Sequence, residues 1–154
     1  MGGIYMEHRP ARKPNRLLRH DYTSAGMYFI TISTRQKRKM FWNTDFFQDG
    51  LSPAGVVVAQ AIAAMPNHYP HVRVETYCVM PNHVHLLLDI PPGNTIALST
   101  MIGQLKRQCS KQLGVELWQK SFHDHVVRNT RDFERIWTYT TYNYQKWNQD
   151  CFFK

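Results

Sequence analysis

Three patterns in this 154-residue chain predict an α+β fold. Stretches of period-two and helical hydrophobicity follow in the order strand, helix, strand, strand, helix, strand, helix. The third and fourth of these are joined by a Pro81-Asn82 turn. No internal repeat, low-complexity tract or linker interrupts them. The first six elements therefore match a ferredoxin-like split-βαβ sandwich, an antiparallel sheet with its helices on one face. That layout leaves the opposite face open for the extra C-terminal helix to pack across or beside.

Each element has a local reason. Tyr28 to Thr34 is a strand in which Tyr28, Ile30 and Ile32 alternate with Phe29, Thr31 and Ser33. A basic loop from Arg35 to Met40 follows. Ala54 to Met65 is dense in Ala and Val and is stopped by Pro66, so it reads as a helix. Val72 to Met80 and His83 to Ile90 are strands. Pro91-Pro92-Gly93-Asn94 breaks the chain before a helix from Ile96 to Leu113, ending at Gly114. Phe122 to Arg128 is a short fourth strand. The last helix runs from Arg131 to Trp147, with Thr130 as N-cap and Asp132 and Glu134 in its first turn. Residues 1–24, rich in Arg and Pro, read as a basic N-terminal arm, and 25–154 as one domain.

Hydrophobic residues at 43% and aromatic residues at 13% argue for a globular chain and against disorder. The apolar runs are too short for a membrane span, and nothing near Met1 resembles a signal segment, which implies a cytoplasmic protein without a membrane partner. The three cysteines, Cys78, Cys109 and Cys151, are scattered without CxxC spacing and read as reduced thiols. The net charge of +8 says more. Positive residues cluster in the arm (Arg9, Arg12, Lys13, Arg16, Arg19), in the loop (Arg35, Lys37, Arg38, Lys39) and on one helix (Lys106, Arg107, Lys111). Clustered positive charge among aromatics suits a polyanion, above all nucleic acid. A solvated basic surface is the bland alternative.

The most specific pattern is His83-Val84-His85. Alternation puts both imidazoles on one strand face with Leu87 and Asp89, while Val84, Leu86, Leu88 and Ile90 form an apolar row on the other. Paired imidazoles are natural ligands for a divalent metal. Spacing alone gives equal weight to an ordinary pair of histidines on a half-exposed face. His123-Asp124-His125 is a second such pattern and a rival metal site, but there Asp124 falls on the face opposite its two histidines. A supporting or DNA-contact role suits Asp124, His125 and Arg128 better. On the last helix, Phe133, Ile136, Trp137, Thr140, Tyr144 and Trp147 form the stripe expected to be buried. Tyr139 and Asn143 lie off that stripe, one turn apart, and present a phenol and a carboxamide on the same side.

The run Tyr77-Cys-Val-Met-Pro-Asn-His-Val-His-Leu-Leu-Leu88 resembles the signature of the REP-associated tyrosine transposases, single-tyrosine members of the HUH nuclease class. Further blocks resemble the family in order: His20–Thr23 with Gly26–Thr34, then Trp118–Asn129, then Asp132–Ile136 through Tyr139 to Lys146-Trp147-Asn148 and Asp150. The resemblance implies that His83, His85 and Asn143 hold a divalent metal, Mg²⁺ or Mn²⁺, and that Tyr139 is the nucleophile. It implies a transposase that nicks and rejoins single-stranded DNA at hairpin-associated sites through a covalent 5′-phosphotyrosine. One departure stands out: the family commonly has Pro after that Asn, whereas Tyr144 follows here, which lets the helix run on straighter. Expected DNA contacts are Arg12, Lys13, Arg16, Arg35, Lys37, Arg38, Lys106, Arg107 and Arg128. Relatives of both states lean the expectation towards a homodimer. The competing reading is a non-catalytic, RRM-like nucleic-acid binder, although no RNP1-like run of Gly and aromatics is present.

Overall fold

In the computed structural model, residues 25–144 are described. The basic arm, with Arg12, Lys13 and Arg16, lies outside them, as do Trp147 and Cys151. Four strands, β1 (Gly26–Ser33), β2 (Arg73–Met80), β3 (His83–Ile90) and β4 (His123–Val127), form one antiparallel sheet in the order β2-β3-β1-β4. Helices α1 (Pro53–Ala63) and α3 (Leu98–Leu113) provide the two crossovers, so the split-βαβ, ferredoxin-like expectation holds. A one-turn helix, α2 (Met65–His68), follows α1, and the last helix is α4 (Thr130–Tyr142).

The alternation read from sequence sorts the two faces. Tyr28, Ile30 and Ile32 of β1 and Val84, Leu86, Leu88 and Ile90 of β3 join the main core with Val58 and Ile62 of α1 and Met101, Ile102 and Leu105 of α3. Phe29 and Leu87 face the other way and form a second, smaller core with Ile136 of α4. The extra helix therefore packs across the open face.

Boundaries moved where local chemistry outweighed periodicity. Ser52 caps α1 by accepting from the Gly55 N–H at 3.1 Å, so the helix begins at Pro53. Pro66 does not end this helical region: α1 stops at Ala63 and Pro66 sits in the first turn of α2, where its missing N–H costs nothing. Asn129, not Thr130, caps α4, its carboxamide oxygen accepting from the Asp132 N–H at 2.8 Å. Asp132 is the acidic residue of that first turn. Gly55 is sterically required, because a Cβ there would stand 2.1 Å from the Phe41 carbonyl oxygen.

Candidate active site

The site grows from the pairing of β1 with β3. Thr31 pairs with His85 and Ser33 with His83, so both imidazoles stand on the α4 face at the end of the sheet where β1 finishes. Both histidines are fully buried and their ring centroids are 4.7 Å apart. Each ring is held through Nδ1: His83 against Asn82 Oδ1 at 2.8 Å, His85 against Thr31 Oγ1 at 2.9 Å. Holding Nδ1 with an oxygen partner is how proteins orient an imidazole whose Nε2 binds a metal.

Tyr139 closes the site from α4. Its ring lies 5.3 Å from that of His85 and 6.3 Å, edge-on, from that of Phe29, while Phe29 stacks on His85 at 5.2 Å. This corrects the expected helix face. Tyr139 belongs to the sheet-facing side and Trp137 is exposed, so the buried stripe is Ile136, Thr140 and Asn143, with Phe133 and Tyr139 half-buried beside it. Apolarity alone chose Trp137. The surface α4 meets is partly polar, lined by histidines and threonines, so a phenol, a hydroxyl and a carboxamide suit it better than an indole. The contact between the hydroxyls of Thr76 and Thr141, 3.2 Å apart, is of the same kind. Tyr144 packs as expected, stacking on Phe47 at 4.0 Å. Thr140 is fully buried, and its hydroxyl makes no hydrogen bond among the described residues.

Asn143 is buried at the C-terminal end of α4, one turn beyond Tyr139, with helical backbone angles. The rest of the helix expected to reach Trp147 lies outside the described residues. Among those residues no three His, Cys, Asp or Glu side chains converge as a metal cluster. A metal on His83 and His85 therefore needs an amide oxygen such as that of Asn143, water or substrate to complete its shell. The rival three-ligand site at His123-Asp124-His125 does not form: Asp124 pairs with Ile30 and His123 with Thr31, on opposite faces.

His125 is instead structural. Its Nε2 is 2.9 Å from Asp132 Oδ2, and Asp132 also accepts from the Arg135 guanidinium at 2.8 Å and the Arg128 N–H at 3.3 Å. Burial pushes the Asp132 carboxyl up, but the hydrogen bonds from His125, Arg135 and the Arg128 backbone outweigh it and hold the group below the usual carboxylate range. This cluster pins the start of α4 to β4.

A second feature lies at the same end of the sheet. Arg35, Lys106 and Arg107 line a cavity of about 630 Å³ together with Glu116, Trp118 and Lys120. The segment carrying Trp118 is sewn to the end of β1, since Gln119 N–H donates to Ser33 O and Arg35 N–H to Leu117 O. Arg35 is ion-paired with Glu116. Lys106 serves the framework, donating to the Gln119 and Ser121 carbonyls at 2.8 and 3.0 Å. Lys37 and Arg38 are exposed on the adjoining turn. Arg128 is not brought to this group: it follows Val127, which pairs with Met27 at the other end of β1.

A sequence profile described as "Transposase IS200 like" matches residues 27–142, three quarters of the chain. The chain belongs to the IS200-like transposase family. A Haemophilus influenzae protein provisionally named a REP-associated tyrosine transposase is 29% identical over 140 residues, spanning 81% of this chain and 73% of its own. The Escherichia coli REP-associated tyrosine transposase is 25% identical over 116 residues, covering 75% of this chain and 64% of that one. A solved REP-associated tyrosine transposase bound to a REP hairpin superposes with TM-score 0.68 at 24% identity, over 85% of this chain and 73% of that one. The fold of that solved transposase is thus shared over most of this chain. Among the described residues no helix is long and apolar enough to cross a membrane.

Sequence reasoning missed Asn82, Thr31 and Phe29, the residues that hold the two histidines. Their signal was present only as register: Thr31 and Phe29 share the alternate face of their strand with Ser33, and Asn82 directly precedes His83.

Proposed function

We propose that this IS200-like transposase cleaves and rejoins single-stranded DNA at hairpin-associated sites, with Tyr139 as nucleophile. The observation that carries the reading is the half-buried Tyr139 ring against His85, itself paired with His83. Tyr139 Oη attacks a backbone phosphorus and loses its proton to solvent or a base. The phosphorus–O3′ bond breaks, the departing oxygen takes up a proton as a free 3′-OH, and the 5′ side stays on the enzyme as a phosphotyrosine. That linkage keeps the phosphodiester bond energy for rejoining. Mg²⁺ or Mn²⁺ on His83 Nε2, His85 Nε2 and Asn143 Oδ1 would supply positive charge to a phosphate oxygen as negative charge develops there. The phenol's ordinary pKa of about 10 makes such activation necessary. The chain's own residues orient the reacting groups: Phe29 and Tyr139 pack on His85, and Asn82 and Thr31 fix the rings.

The hairpin in the related solved structure supports hairpin DNA as the partner. The cavity beside Arg35, Arg107 and Lys120 opens at the same sheet end as the histidines, which suits one strand reaching both. An RRM-like binder would need the sheet face that Phe29 occupies, and here α4 covers it, leaving Phe29 2% exposed. The test is incubation of labelled single-stranded hairpin DNA with protein and Mn²⁺, resolved on a denaturing gel. Tyr139→Phe is expected to abolish the covalent adduct while leaving folding and hairpin binding nearly intact, since one hydroxyl is lost. Tyr142→Phe, at an exposed position, should keep activity. An adduct formed by Tyr139→Phe would end the assignment.

A further inference from the structure

The β2–β3 turn is clamped by the basic loop. Asn82 is fully buried, and its backbone carbonyl accepts from the Thr34 N–H at 3.0 Å, while the Thr34 hydroxyl donates to the Arg38 carbonyl at 2.7 Å and lies 3.1 Å from the Asn82 carbonyl. The Pro81 carbonyl accepts from the Met40 and Phe41 N–H groups at 2.8 and 3.0 Å. The Asn82 carboxamide is fixed as well: its Nδ2 donates to the Lys37 carbonyl at 3.2 Å and its Oδ1 faces His83 Nδ1 at 2.8 Å. A backbone carbonyl only accepts, so the amide nitrogen must be the end that faces Lys37. The carboxamide oxygen at the other end also only accepts, so His83 Nδ1 must carry the proton. In a neutral imidazole that places the lone pair on Nε2. Gln36 and Lys37 both have positive φ, at 57° and 55°, a pairing that L-residues avoid. The strained turn thus holds the acceptor that determines which way Asn82 points.

We propose that Asn82 is a positioning residue, relaying the Lys37 carbonyl to His83 so that the imidazole is held as the Nδ1–H tautomer with Nε2 ready to bind a metal ion. This rests on the metal-site reading above. The companion bond from Thr31 to His85 orients that ring without dictating its tautomer, because a hydroxyl both donates and accepts. Asn82 is therefore the residue through which the fold selects a ligand atom. The relay also places a metal-ligand support on the same turn as Lys37 and Arg38, two of the expected DNA contacts.

Nitrogen-15 spectra of histidine-labelled, metal-free protein at one mildly alkaline pH read the tautomer directly, and Mn²⁺ calorimetry reads its consequence. His83 in the wild type should be protonated on Nδ1. Asn82→Leu removes the acceptor and should shift His83 towards Nε2–H, weakening Mn²⁺ binding by roughly 10- to 100-fold. Asn82→Asp keeps an oxygen against Nδ1 and should retain the tautomer, although its second oxygen faces the Lys37 carbonyl without a proton to donate and lowers stability; it reads the tautomer where Asn82→Leu fails to fold. A wild-type His83 protonated on Nε2, or an unchanged tautomer in a folded Asn82→Leu, overturns the relay. Wild-type protein with the expected tautomer but no Mn²⁺ affinity would instead overturn the metal reading, leaving the hydrogen-bond geometry intact.

Discussion

At the scale of single residues, the same side chain types serve opposite ends. Arg35 and Glu116 form an ion pair on the wall of the basic cavity, with side chains 52% and 78% exposed. Such a pair contributes at most about 1 kcal/mol to folding, because water and salt screen it. Its effect on a polyanion is larger in kind: the Glu116 carboxylate occupies a guanidinium that a phosphate would otherwise take, and it repels that phosphate. Glu116→Gln should therefore leave thermal stability nearly unchanged while tightening hairpin DNA binding about two- to five-fold, an effect of roughly 0.5–1 kcal/mol. Fluorescence anisotropy with labelled hairpin DNA at low salt measures it. Weaker or unchanged binding would place the DNA elsewhere than this cavity. Tyr139 and Trp137 make the complementary point about apolar groups. The indole is the more hydrophobic of the two yet is 37% exposed, while the phenol packs against His85.

At the scale of elements, what was legible in the sequence depended on whether an element sees one kind of surface. β3 was readable from His83 to Ile90 because its two faces carry opposite chemistry, and α3 ends where Gly114 adopts φ 71°. The face of α4 was not readable, because a helix on a half-polar sheet face does not show a purely apolar stripe. Its anchoring shows why. Among the described residues Phe29, Leu87 and Ile136 are the fully buried apolar side chains of that contact, each contributing roughly 1.5–3 kcal/mol before ordering costs, with Met27, Val127, Phe133 and Tyr139 packed beside them. Polar links add to it, among them the Asp132 carboxylate, which accepts from His125, Arg135 and the Arg128 N–H. Its carboxyl lies below the usual range when folded, so its contribution is fully present above an unfolded value of about 3.9 and is lost as pH falls through the lower folded value. Asp132→Asn should destabilise the protein by roughly 2 kcal/mol at neutral pH, the scale of hydrogen bonds to a charged group. It should also flatten the fall in stability as pH drops below about 4. Urea melts from neutral pH downwards test both. An unaltered acid limb would show that other carboxylates set it.

At the scale of the whole molecule, charge and chemistry are separated across the sheet. The histidines and Tyr139 lie on the α4 face, whereas the basic cavity lies beside α3 and the 116–120 segment, and the two meet where β1 ends. The net charge of +8 is carried partly by Arg9, Arg12, Lys13, Arg16 and Arg19, ahead of the described residues. If those residues touch DNA, they do so through phosphates, and each contact releases counterions. On single strands, log K should fall by about 0.7 per phosphate contact for each tenfold rise in salt. Deleting residues 1–19 should therefore flatten the salt slope of hairpin binding by a multiple of that amount, while replacing Arg35, Lys37 and Arg38 by Ala should flatten it independently. The two changes should add, because each removes separate phosphate contacts. A slope left unchanged by the deletion would assign DNA binding to the folded domain, with the cavity and the adjoining turn as its electrostatic footprint.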